Sequence, residues 1–135
     1  LFRMQAWQII KISAILTGLG VVLTAVGLPL IRLVMIHAYH IELDWGYYGW
    51  AAILSMPMWI YAPFIYLLYK NEGQQKVVLV NFGSVLLNIG LNLFFIQTLE
   101  LKGALMATAF SQLFMLLMVG VYVWPILKKH RVEKE

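Results

Sequence analysis

The chain has 135 residues, 62% of them hydrophobic and 12% charged, with a formal net charge of +4 and no cysteine; its mean hydropathy is +0.82. A soluble domain averages roughly 45–50% apolar and about 25% charged residues, so an ordinary water-exposed globule is excluded. Without cysteine there are no disulfides, thiolate metal sites or cysteine nucleophiles. The modest positive charge gathers at the ends of apolar runs, which speaks against a nucleic-acid partner and for anchoring at a membrane face.

A transmembrane helix needs about 20 mainly apolar residues, and four runs meet that requirement: 9–36, 50–69, 77–99 and 103–127. They use up nearly the whole of 1–135 and leave no soluble domain. The expected fold is therefore all-α: a polytopic membrane protein with four transmembrane helices, since backbone polar groups in lipid must be satisfied within each helix. The first run is too long for a signal-peptide core, and no small-residue cleavage site follows it. A chain that begins with Leu1 rather than methionine reads as a processed chain, a trimmed one or a piece of something longer.

Span 1 either crosses with tilt or bends at Pro29 into a short piece carrying Arg32. Residues 37–49 include Tyr39, Glu42, Asp44, Trp45, Tyr47 and Tyr48, an aromatic and acidic composition suited to the headgroup region. His37 and His40 read as interface residues of that loop. Span 2 contains Pro57 and Pro63, each of which deletes an intrahelical hydrogen bond and predicts a kink. Residues 70–76 form a polar turn. Glu100, Leu101 and Lys102 form a connection so short that spans 3 and 4 must pair as an antiparallel hairpin.

Lysine and arginine fall at alternating connections. Arg3 and Lys11 lie near the N-terminus, Lys70 and Lys76 at the second connection, and Lys128, Lys129, Arg131 and Lys134 in the tail. The first connection has Glu42 and Asp44 and no basic residue, and the third has Lys102 beside Glu100. The positive-inside rule places both termini and the second connection in the cytoplasm.

Polar residues inside the spans form stripes. Ser84, Asn88 and Asn92 repeat every four residues on one face of span 3, with Asn81 in the preceding turns. Span 4 has two neighbouring rows, Gly103–Ala107–Ser111 and Ala104–Thr108–Gln112, in which small residues four apart allow close backbone approach. Span 1 shows Ser13, Thr17, Gly20, Thr24 and Gly27 on one face. Such faces must look at protein or water. They either glue helices together or, through the asparagines and Gln112, line a hydrated path.

No aspartate or glutamate falls inside a span, so an intramembrane carboxylate relay is missing from these residues. Lys11 sits where it can snorkel to the cytoplasmic face. Arg32 either snorkels to outer headgroups or contacts an anionic phosphate or sugar. There is no HExxH, GxSxG or phosphate-binding glycine loop, and Glu42 with Asp44 reads as a solvated acidic loop rather than a metal site. The expectation is a protein that is not an enzyme, with no cofactor and no metal.

Residues 81–112 read N-F-G-S-V-L-L-N-I-G-L-N-L-F-F-I-Q-T-L-E-L-K-G-A-L-M-A-T-A-F-S-Q. This segment resembles the C-terminal part of bacterial polysaccharide (O-antigen) flippases, members of the multidrug/oligosaccharidyl-lipid/polysaccharide exporter superfamily. There an N-x-x-x-N-L helix precedes a short loop and G-A-A-x-A-T-x-x-S. Asn88, Asn92 and Leu93 match the first element, and Gly103, Ala104, Ala107, Thr108 and Ser111 the second. Upstream, L-P-L-I-R-L-V (residues 28–34), an aromatic loop and a proline-containing span are similar to that region too. The departure of consequence is size, because such transporters contain two related helix bundles around an alternating-access cavity and four spans cannot make both.

The resemblance implies a C-terminal piece, or a small homologue that assembles with partner helices or as a homo-oligomer. It implies flipping of lipid-linked oligosaccharide, on an undecaprenyl pyrophosphate carrier, across the bacterial cytoplasmic (inner) membrane for polysaccharide or O-antigen biosynthesis. Arg32, Asn81, Asn88, Asn92 and Gln112 are the candidates for the substrate path, and Gly103, Ala107 and Ser111 for helix packing. Two other functions fit the residues: a multidrug and toxin extruder of the same superfamily, or a non-transporting membrane scaffold or assembly subunit. Cationic drugs call for intramembrane carboxylates, which these spans lack.

Overall fold

The computed structural model describes the backbone of residues 2–132 and the side chains of residues 7–129. Three helical runs make up the fold: α1 (Phe2–Tyr39), α2 (Trp45–Lys70) and α3 (Gln74–Val132). Each contains a stretch long and apolar enough to cross a membrane, with mean hydropathies of 2.3, 1.6 and 1.9. The described residues form an all-helical fold whose three runs could span a membrane. The side chains of Arg3, Arg131 and Lys134, which entered the charge pattern above, lie outside the described residues.

α1 stays helical through Pro29 and carries Arg32 on the same continuous helix. Beyond its end, His40 adopts φ 55° and the Ile41 N–H returns to the Met35 carbonyl at 3.0 Å. α2 begins five residues earlier than its apolar run suggests. Asp44, an extended residue, accepts a hydrogen bond from the Gly46 N–H at 2.5 Å and so caps the helix, satisfying a backbone donor that the first turn leaves unpaired. Pro57 and Pro63 both lie within α2. Pro63 removes the N–H that the Trp59 carbonyl would receive. One residue on, the Ile60 carbonyl accepts from Ser13 Oγ of α1 at 2.7 Å, so the loosened turn is tied to a neighbouring helix. α2 closes with the Gly73 N–H reaching the Leu68 carbonyl at 2.8 Å across Glu72, whose φ is 56°, the Schellman ending in which the residue after the cap turns left-handed.

α3 has 59 residues, and a straight helix of that length would run about 88 Å, nearly three times the about 30 Å hydrocarbon thickness. It does not run straight. Glu100 has φ 50° and ψ −128°, the values taken by the first central residue of a type II′ turn. There the chain folds back, so that Ser84 meets Ser111 and Asn88 meets Thr108. The expected three-residue loop is thus a break at one residue between two arms, 74–99 and 101–132. Glycine tolerates a positive φ at no steric cost, whereas other residues pay of order 1–3 kcal/mol. Glu100→Gly is therefore expected to stabilise the fold by about 1 kcal/mol. The midpoint of unfolding in rising sodium dodecyl sulfate would move up; a downward shift would show that Glu100 holds the turn through its side chain.

The apolar core gathers at one end of the bundle. Ile9, Tyr61, Leu67, Leu68, Val77, Val80, Met115, Val119 and Val123 pack together there, where α1 begins, α2 ends and the far ends of the α3 arms meet. Lys11, Lys70 and Lys76 surround the same end, each with its ammonium 5.6–5.7 Å from an aromatic ring, of Trp7, Tyr66 and Tyr122 respectively. α1 lies against α2 and barely touches α3. Its Val21, Val22, Leu23, Val26, Leu30 and Ile31 face outward, a surface suited to lipid or to further helices.

Candidate functional site

The polar stripe of the α3 hairpin is the first candidate. Ser84 Oγ donates to the Ser111 carbonyl at 3.1 Å, and Asn88 Nδ2 donates to Thr108 Oγ1 at 3.3 Å. Asn92 Nδ2 turns back on its own helix, donating to Asn88 Oδ1 at 2.8 Å and to the Asn88 carbonyl at 2.9 Å. Thr108 and Ser111 return their hydroxyl protons to the carbonyls of Ala104 and Ala107. Contact this close is possible because Ala107 is fully buried and Gly103 presses on the Phe95 backbone. A side chain with a Cβ at 103 would collide with that carbonyl. Gly103, Ala107 and Ser111 thus lie on the face where the two arms press together.

Gln112, on the same arm, faces another helix. Its Oε1 accepts from the Tyr61 hydroxyl of α2 at 2.7 Å. Tyr61 was not singled out in the sequence, although a tyrosine in an apolar span needs a partner for its hydroxyl. Asn81 is apart from this network: it is exposed and makes no hydrogen bond to the described residues. Asn88 thus spends both side-chain atoms inside the hairpin. Asn92 Oδ1, Gln112 Nε2 and the whole Asn81 amide keep hydrogen-bonding capacity for another molecule.

Arg32 stands elsewhere, at the end opposite the basic rim. Its guanidinium carbon lies 4.5 Å above the Trp45 ring, and its Nη2 is 4.0 Å from Glu42 Oε1. Glu42 is 80% exposed on its side chain, so this ion pair is a weak restraint; the stacking on Trp45 positions Arg32 more firmly. Arg32 Nε is enclosed and has no hydrogen-bond partner among the described residues, and the same holds for the Tyr48 hydroxyl. Trp45 bridges the two, since its ring also meets Tyr48 edge-on at 5.7 Å. Lys102 comes to the same end: its Nζ and Asp44 Oδ1 both lie close to where a Gly46 Cβ would point. The five path candidates therefore fall in four separate places. Asn88 and Asn92 share the hairpin seam, Gln112 joins α2 to α3, Asn81 is on the open surface, and Arg32 caps the α1–α2 connection.

The chemistry available along the seam is that of neutral amides and hydroxyls. These exchange hydrogen bonds with hydroxyl-rich groups such as sugars but transfer no proton at neutral pH. Among the described residues no three His, Asp or Glu side chains come together as metal ligands. Compared with protein-family models, with curated proteins and with solved structures, the chain matches none.

Proposed function

We propose that this chain is a helical unit of a membrane transporter that passes lipid-linked oligosaccharide from the inner to the outer leaflet of the bacterial cytoplasmic membrane. In this reading the two arms of α3 count as separate spans, giving four, with both termini cytoplasmic as the positive-inside rule requires. The observation that supports it is the hairpin seam. Among the residues that carry the flippase resemblance, Asn88 bonds to Thr108 across the two arms, the Ser111 carbonyl accepts from Ser84, Gly103 presses on the Phe95 backbone, and Ala107 is fully buried, while Asn92 braces Asn88 on its own arm. Uncommitted amide groups of Asn81, Asn92 and Gln112 offer hydrogen bonds to sugar hydroxyls, while the apolar outer faces stay with lipid. The exposed side of α1 would receive remaining helices of the transporter or further copies of the chain. No covalent step belongs to this mechanism; translocation proceeds by rocking of helix bundles around the path.

A second reading, a scaffold or assembly subunit, is favoured by one observation: both side-chain polar atoms of Asn88 are engaged within its own hairpin. The double substitution Asn88→Leu with Asn92→Leu separates the two. If the seam faces substrate, export of the glycan to the cell surface falls about tenfold or more, the equivalent of roughly 1.4 kcal/mol of lost hydrogen bonding, while the inserted amount is unchanged. Surface glycan labelling beside quantitation of membrane-inserted protein reads both. Full export with reduced detergent stability would sink the transport reading and leave the scaffold.

A further inference from the structure

At the basic end, α1 and α2 part to leave a cleft of about 490 Å³, within the range of small-ligand sites. Its walls are Ile9, Ile12 and Leu16 from α1 and Ala62 and Pro63 from α2, and its polar groups are Gln8, Tyr66 and Lys70. Proline and alanine leave the α2 wall without bulk, which is why the helices do not close here as they do around Ser13 and Gly20. The Lys70 ammonium sits 5.7 Å above the Tyr66 ring, so its charge is held beside the cleft while its apolar stem lies along it.

We propose that this cleft binds an acidic phospholipid, with one acyl chain between α1 and α2 and the phosphate at Lys70. The apolar walls ask for hydrocarbon, and the charge on the rim asks for an anion. Among the described residues this end carries Lys11, Lys70, Lys76, Lys128 and Lys129 against Glu72 alone, and Glu72 lies in the turn beyond Lys70 without lining the cleft. Basic pockets between membrane helices recruit anionic headgroups on the same principle. A single cation and an amide at the mouth suit one phosphodiester charge and fall short of a pyrophosphate. This site is therefore separate from the glycan path and does not depend on it.

The test is native mass spectrometry of the purified chain, exchanged in turn with phosphatidylglycerol and phosphatidylcholine of identical acyl chains. The unmodified chain is expected to retain phosphatidylglycerol about fivefold better, the value of one interfacial lysine. Lys70→Gln, on an exposed residue, should bring that ratio to about one. Ala62→Trp fills the cleft and should lower retention of both lipids alike, with circular dichroism confirming that the helices remain. Equal retention of the two lipids, a preference that survives Lys70→Gln, or Ala62→Trp without effect would each overturn the proposal. Displacement of phosphatidylglycerol by an equal amount of undecaprenyl phosphate would reassign the cleft to the carrier lipid and equally overturn it.

Discussion

Gly103→Val should open the α3 hairpin and cost about 3 kcal/mol or more. Position 103 has no room for a Cβ, and the obstacle is the Phe95 carbonyl group with the following nitrogen. Backbone cannot swing aside as the end of a flexible side chain can, so the arms must separate. Separation would break the hydrogen bonds of Ser84 to Ser111 and Asn88 to Thr108 together, because both lie further along the same seam. In lipid the arms gain nothing from leaving water, and close packing with hydrogen bonds is what holds them. The sequence contains no cysteine, so Asn88→Cys with Thr108→Cys gives a clean pair for a short bis-thiol reagent. Cross-linking within one chain is expected in the otherwise unmodified protein and its loss on adding Gly103→Val. Retained cross-linking, with an unfolding midpoint in sodium dodecyl sulfate unchanged, would mean that the turn accommodates the side chain and that the hairpin is not held at Gly103.

Much of this architecture is legible in composition and spacing. Apolar runs of spanning length become helices because the backbone has no other way to be satisfied in lipid. The four-residue steps of Ser84, Asn88 and Asn92 and of Gly103, Ala107 and Ser111 read directly as packed faces, and the Ser13–Thr17–Gly20 stripe of α1 does turn toward α2. Three things escape that reading. The start of α2 at Trp45 depends on the Asp44 side chain finding the Gly46 N–H, and an aspartate in an aromatic loop carries no mark that separates a cap from a solvated acid. The connection at residues 100–102 is legible, but not that Glu100 alone makes it at a positive φ, since a glutamate carries no mark for a conformation that favours glycine. Asn81 shares the helical phase of Asn88 and Asn92 but not their surroundings, since phase sets which way a residue points and says nothing of where the neighbouring arm lies beside it. Partners on other helices, such as Tyr61 for Gln112 and Trp45 for Arg32, belong to topology and are beyond the reach of periodicity.

The attachment of α1 rests on a smaller contact than that of any other element, and the second large effect is expected there. Gly20 faces the Trp59 ring so closely that an added Cβ would lie 2.5 Å from its Cγ and Cδ1 atoms. Gly18 and Gly27 of the same helix have nothing within 4 Å of such a Cβ. Alanine in place of glycine inside a helix is worth about 0.5–1 kcal/mol when space is free, so Gly18→Ala and Gly27→Ala should be neutral or stabilising. Gly20→Ala should instead destabilise by about 1–3 kcal/mol through overpacking, because α1 must back away from Trp59. That retreat also draws Ser13 from the Ile60 carbonyl, leaving unpaired a hydroxyl that is now buried and bonded. With so little contact between α1 and α3, α1 would then be held chiefly by its α2 contacts nearer the start of the helix, around Ile9. Thermal unfolding of the three alanine variants in one detergent compares them within a single helix at matched chemistry. A Gly20→Ala midpoint that tracks those of Gly18→Ala and Gly27→Ala would show that α1 is not seated on Trp59. A midpoint falling well below theirs would locate the seat of α1 at that ring, two turns of helix from Ser13 on one side and one turn from Thr24 on the other.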